Sequence, residues 1–171
     1  PQLALPIRAI QCIASHYRTN PSPRAQAIAD LLTIAFFFLL RPGEYTMPST
    51  RTRTRTVQFR RGDIRFFKDG HILPHSAPLA TLLQADAARL YLDIQKNGQR
   101  GSTMHHTAVA DSTFCPIKAL ARRVHHLYES DPTAPHLPLS FVGLGLHITS
   151  ADITLAVRES VVLSSGLLDC G

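Results

Sequence analysis

Phe36-Phe-Phe-Leu-Leu-Arg-Pro-Gly-Glu-Tyr45 is the stretch on which the reading of this chain turns. It closes an apolar run, Leu31 to Leu40, which at ten residues is too short to span a bilayer and fits a buried core helix. Upstream, Asn20-Pro21-Ser22-Pro23 breaks the chain. Ser22 is a good N-cap and Pro23 suits the first helical position, so the helix starts there. Pro42 disfavours helical geometry at Arg41, and Gly43 follows, so the core helix is expected to stop at an arginine. A guanidinium held rigidly at such a point has a fork that matches a phosphate bidentately, with Glu44 three residues on to orient it. With equal standing, Arg41 compensates the helix macrodipole and pairs with Glu44, as Arg-x-x-Glu pairs on helix ends often do.

Working outward, Ile7, Ile10, Ile13, Ala14 and Tyr17 recur at helical spacing and predict an amphipathic helix ahead of the core one. Beyond the box, Arg51-Thr-Arg-Thr-Arg-Thr56 leads into Val57 to Phe59, and Asp63 to Lys68 reads as a strand. Asp69-Gly70 is a two-residue hairpin signal that returns the chain along His71 to Leu73. Ala80 to Ala88 reads as a short helical turn or irregular link. Arg89 to Gln95 is a strand that Asn97-Gly98 folds back onto Ser102 to Val109. Pro116 starts a helix with Ile117, Leu120, Val124 and Leu127 on one face, leaving Lys118, Arg122 and Arg123 on a solvated one. Asp131 to Pro138 is a Pro-rich loop. Thr149-Ser-Ala-Asp152 resembles a capping box, with Asp for the usual Glu or Gln, and opens a last helix that stops near Gly166. The fold class is therefore α+β and mainly α: a single helical domain over residues 1–171 with a small antiparallel sheet.

The 171 residues suffice for one domain with a sizeable core, and 44% hydrophobic against 18% charged residues marks a globular chain. A net charge of +6 favours a polyanionic partner, nucleic acid or an anionic membrane surface. No signal peptide is expected, and three scattered cysteines without a CxxC pair argue for a reduced, intracellular protein. Nine histidines include two adjacent pairs, His105-His106 and His125-His126, whose neighbours point to different faces. Without convergent carboxylates or thiolates, no metal site is expected.

The string from Phe36 to Tyr45 resembles the first active-site box of tyrosine recombinases, the phage integrase-like family, and is especially similar to integrase-like enzymes of eukaryotic mobile elements. In that box an apolar helix ends in a catalytic arginine with a glutamate three residues later. The order that follows also fits: a strand around Asp63-Ile64, a hairpin carrying a lysine within Gln95-Lys96-Asn97-Gly98, and a Cys115-Pro116 helix start. The likeness covers roughly residues 5 to 166 by element order plus motif. It implies that Arg41 binds the scissile phosphate and stabilises charge on its non-bridging oxygens, with Glu44 in support. It implies equally that Lys96 is the general acid that protonates the departing 5′-oxygen; read from its residues alone, Lys96 is a solvated turn lysine. The implied chemistry proceeds through a 3′-phosphotyrosine with no metal or nucleotide cofactor.

The departures are as informative. The family needs a His/Lys-x-x-Arg box, a further His or Trp, and a nucleophilic tyrosine, and none of Tyr17, Tyr45, Tyr91 and Tyr128 follows such a box here. The expectation is a catalytic domain that is incomplete at its C-terminus and lacks the N-terminal clamp domain, or a non-catalytic DNA-binding module descended from such an enzyme.

The stretch from Arg51 to Lys68 holds seven of the 18 Lys and Arg residues and one acid, Asp63. If extended, Arg51, Arg53 and Arg55 share one face about 6.6 Å apart, comparable to the phosphate spacing of one strand. With Arg60 and Arg61 they form a candidate contact for the DNA backbone; the competing reading is a solvated basic loop over residues 51–62. The expected partner is duplex DNA, engaged by a homo-oligomer in the nucleus if the host is eukaryotic, with no membrane role. A basic helical protein binding RNA or another protein ranks below this, because stacking motifs of the usual RNA-binding kinds are missing.

Overall fold

The computed structural model describes residues 7–48, 57–94, 100–111 and 113–166, with the backbone alone described at 92–94, 100 and 160–166. Helix α1 (Ile7–Thr19) buries Ile10, Ile13 and Ala14, three and four residues apart, while Ile7 stays exposed. Helix α2 (Pro23–Phe38) begins as its sequence requires. Ser22 is extended and its Oγ accepts the Ala25 N–H at 3.1 Å, with Pro23 in the first turn. Buried residues lie on all sides of α2, from Ala25 to Phe38, because α1, α5 and α6 all pack on it.

The core helix stops three residues before the expected arginine. Leu39 takes the left-handed conformation (φ 52°, ψ 40°) and its N–H closes on Ala35 O, as does that of Leu40 at 3.0 Å. A one-turn helix, α3 (Pro42–Tyr45), then starts with Arg41 as its extended N-terminal flank.

Four strands, β1 (Ile64–Lys68), β2 (His71–Leu73), β3 (Ala87–Ile94) and β4 (Arg100–Thr107), form an antiparallel sheet in the order β2-β1-β3-β4. The β1–β2 turn is Asp69-Gly70, both at positive φ (48° and 78°), which is the twist a two-residue hairpin needs. Period-two alternation aims the sheet: Ile64, Phe66, Ala88 and Leu90 are buried, while Arg65, Arg89 and Tyr91 face outward. Between β2 and β3 lies the short α4 (Leu79–Leu82).

Helix α5 (Pro116–Ser130) buries Ile117, Leu120, Val124 and Leu127 completely, as their spacing predicts. After the Pro-rich loop comes an element that the sequence pattern does not announce, a small hairpin of β5 (Phe141–Gly143) and β6 (Leu146–His147). Its strands are too short to show a period. Helix α6 (Ser150–Gly166) has the expected start. Asp152 Oδ2 accepts from the Thr149 N–H at 2.8 Å, and the Asp152 N–H donates back to Thr149 Oγ1 at 3.3 Å. The architecture is α+β and mainly α, helices packed against one face of a small antiparallel sheet. No helix among the described residues is long and apolar enough to cross a membrane.

Two arginines of α5 overturn the solvated face expected for them. Arg123 is 3% exposed, and its Nε and Nη2 donate to the Leu139 carbonyl at 3.1 and 2.9 Å, with a further donation to Phe141 O. Burial pushes its pKa down, to about 10. Arg122 donates from Nε (2.9 Å) and Nη2 (2.7 Å) to Asp30 Oδ1, which also accepts from Arg18 Nη2 at 2.8 Å. Asp30 is 2% exposed, in the middle of α2. The carboxylate is the ionic centre that joins α1, α2 and α5.

Candidate nucleic-acid interface

Arg41 is exposed at the point where buried α2 gives way to α3. Its backbone is extended (φ −77°, ψ 148°), as a residue before proline must be. Its N–H donates to Glu44 Oε2 at 2.8 Å, and the Glu44 N–H returns to Arg41 O at 2.8 Å. Glu44 thus fixes the backbone of Arg41. It does not orient the guanidinium, which has no hydrogen-bond or ion-pair partner among the described residues. The signal was in the sequence: Pro at the first helical position with Glu at the third is one half of a capping box.

The surroundings are stiff. Thr46 donates from N–H and hydroxyl to Pro42 O (2.9 and 2.5 Å), Met47 N–H to Ile148 O (2.8 Å), and Phe59 N–H to Glu44 O (2.8 Å). On the other side His106 of β4 lies edge-on to Phe38, ring centroids 4.6 Å apart. Tyr45, next to the box, is 5% exposed, and burial pushes its phenol up to about 12. A hydroxyl so buried and so weakly acidic is a core group and a poor nucleophile. Tyr17 is likewise raised to about 12, by burial first and then by its 2.7 Å hydrogen bond to Glu159.

Lys96, Arg51, Arg53 and Arg55 lie outside the described residues. Strands β3 and β4 pair as far as Ile94↔Arg100. Arg60 is exposed, with its N–H on Asp63 Oδ2 at 2.8 Å. Arg61, expected beside it on the DNA-facing surface, is 3% exposed instead. Its Nη2 donates to Pro132 O at 2.8 Å and its guanidinium lies 5.1 Å over the Tyr128 ring. It therefore does not continue an exposed basic run with Arg60. The alternation that aims Ile64 and Phe66 inward begins at this turn, and the loop from Pro132 to Leu137 closes over Arg61. Arg65 reaches solvent in its place, its Nη1 near Gly62 O and Ile64 O (2.9 Å each). Lys68 is 3.9 Å from Asp69 and 4.0 Å from Asp86, so its charge is partly offset.

Among the described residues, no three His, Cys, Asp or Glu side chains come close enough to hold a metal ion. Several of the histidines instead pack on aromatic rings, as His105 does on Phe67, or bond to main-chain carbonyls, as His126 Nε2 does to Val142 O at 3.2 Å, while His125 lies 3.9 Å from the Glu129 carboxylate. Comparison with known proteins finds no matching family model, no matching curated protein and no matching solved structure.

Proposed function

We propose that this chain is the DNA-binding part of a tyrosine recombinase-like strand-exchange enzyme. In this reading it engages duplex DNA through backbone phosphates, with Arg41 at the scissile phosphate. The observation that carries the reading is the presentation of Arg41: an exposed guanidinium, unpaired among the described residues, on a backbone clamped by Glu44 directly after a buried helix. The clamped main chain fixes the root of the side chain, and the guanidinium has no ion pair among the described residues to give up when an anion arrives. The element order adds support, since an apolar helix, the Arg41 box, a lysine-bearing hairpin and a Cys-Pro helix follow one another as in that family. Assembly as a homo-oligomer on the DNA, and in a eukaryotic host a nuclear location, belong to the same reading.

The test is made on the full-length polypeptide with a nicked duplex that traps the covalent intermediate. A protein–DNA adduct through a 3′-phosphotyrosine is expected, and Arg41→Ala should abolish it while leaving much of the DNA affinity. Adduct formation undiminished in Arg41→Ala would remove Arg41 from the chemistry. Absence of any adduct would reduce the reading to DNA binding alone.

A further inference from the structure

A cleft of about 380 Å³ opens between the start of β1, the segment after β2 and the end of α5. Its walls include Arg61, Arg65, His75, Ser76 and Tyr128, with an apolar flank at Ile72 to Pro74. Arg61 is the anomaly. The guanidinium is nearly inaccessible, yet Nε and Nη1 have no hydrogen-bond partner, and no carboxylate lies within ion-pair distance of it among the described residues. At contact distance, among the described residues, the Pro132 carbonyl and the face of Tyr128 offset its charge, and the Asp131 carboxylate acts on it from beyond ion-pair reach. Buried cations are ordinarily paired, because an uncompensated one costs several kcal/mol. The basic side chains that share the cleft wall add positive charge. Burial lowers the pKa of His75, and the positive charges of Arg65 and Arg61 lower it further, so two guanidiniums face one imidazole. The imidazole Nε2 sits 3.0 Å from Ile64 O. The cleft therefore collects cations and hydroxyls, without an acidic side chain on its wall.

We propose that this cleft binds a phosphate group, with Arg61 and Arg65 supplying the charge and the Ser76 and Tyr128 hydroxyls further donors. Several donors around one site suit a phosphate, whose terminal oxygens accept more hydrogen bonds than a carboxylate. The volume matches small-molecule sites, and Ile72, Leu73 and Pro74 offer an apolar seat for whatever carries the phosphate. The carrier is a small phosphomonoester or a nucleic-acid backbone. This site shares no residue with the Arg41 box, and the inference goes beyond the proposed function without depending on it.

The test is an NMR titration of the chain with inorganic phosphate at constant ionic strength, following the His75 ring protons, with chloride as the control. A saturable shift with phosphate and none with chloride is expected. Arg65→Gln, at an exposed position and checked for folding by circular dichroism, should weaken binding about tenfold, the loss of one charge-assisted hydrogen bond. Arg61→Lys, checked for folding by circular dichroism, should weaken it further. Adenosine 5′-monophosphate that displaces phosphate where a DNA duplex does not identifies a small-molecule carrier; displacement by the duplex identifies the backbone. No saturable shift, an equal shift with chloride, or full affinity in Arg65→Gln would each overturn the proposal.

Discussion

The carboxylate of Glu44 accepts the backbone N–H of Arg41 at 2.8 Å, and so holds the main chain of the residue whose side chain it was expected to orient. The two residues therefore have separable roles. Glu44→Ala leaves that N–H unpaired beside a side chain that is 8% exposed, and should cost about 1–2 kcal/mol of stability in urea denaturation. Glu44→Gln keeps an acceptor and should recover most of the loss. Arg41→Ala, which removes an exposed guanidinium, should stay within about 0.5 kcal/mol of wild type. Equal losses in Glu44→Ala and Arg41→Ala would mean that the guanidinium does structural work after all.

Leu39 is a large apolar residue at φ 52° and 86% exposed. It ends α2 in a conformation that glycine adopts without penalty, and its side chain buries little that would be lost. Leu39→Gly should raise stability by about 0.5–1 kcal/mol, seen as a Tm increase of roughly 2–3 °C. A lower Tm would show that the Leu39 side chain packs against something that its exposure conceals.

Asp30 accepts from Arg18 and Arg122 at the junction of three helices. Removing the carboxylate leaves two partly buried guanidiniums facing each other. Asp30→Ala should therefore lower unfolding free energy by about 3–5 kcal/mol. Adding Arg122→Met should restore part of it, since one of the two stranded charges is then gone. If the double variant is no more stable than Asp30→Ala, repulsion is not the cause.

The acid response follows from three histidines. Burial lowers the pKa of His75, His126 and His147 below 6.5, helped at His75 by Arg65 and Arg61 and at His126 by Arg123. The unfolded chain, with ordinary values, binds these protons first as pH falls. Stability should be flat well above 6.5 and decline as pH drops below it. Asp111 and Asp131, held low by hydrogen bonds from Thr113 and Thr133, act in a more acidic window and do not blur this one. The urea midpoint should be lower at pH 5.5 than at pH 8, and His126→Gln, which can still donate to the Val142 carbonyl, should flatten the decline. A midpoint that rises toward pH 5.5 would contradict the assignment.

What the sequence made legible is the local chemistry. Ser22-Pro23, Asp69-Gly70, Pro116 and Thr149 to Asp152 each carry their turn or cap within four residues, and each forms as read. What it hid depends on partners far along the chain. Arg61 is buried by the Pro132 carbonyl, 71 positions away, and Asp30 is claimed by Arg122, 92 positions away. No local pattern encodes such pairings. Arg123 was the exception that could have been found. It lies three residues after Leu120 and four before Leu127, on the apolar face itself, so spacing alone argued for burial over a solvated charge. At the candidate interface, the Arg41 box fixed the position of the exposed guanidinium, while the buried turn took Arg61 off the surface that the basic run suggested.

The most direct test of phosphate-backbone engagement is the salt dependence of duplex DNA binding, measured by fluorescence anisotropy on the wild-type chain and on Arg41→Ala. Each phosphate contact contributes about 0.9 to the slope of log K against log salt. The wild-type affinity should fall steeply and linearly with salt, and Arg41→Ala should reduce that slope by about one. A flat response, or a slope unchanged by Arg41→Ala, would contradict the account.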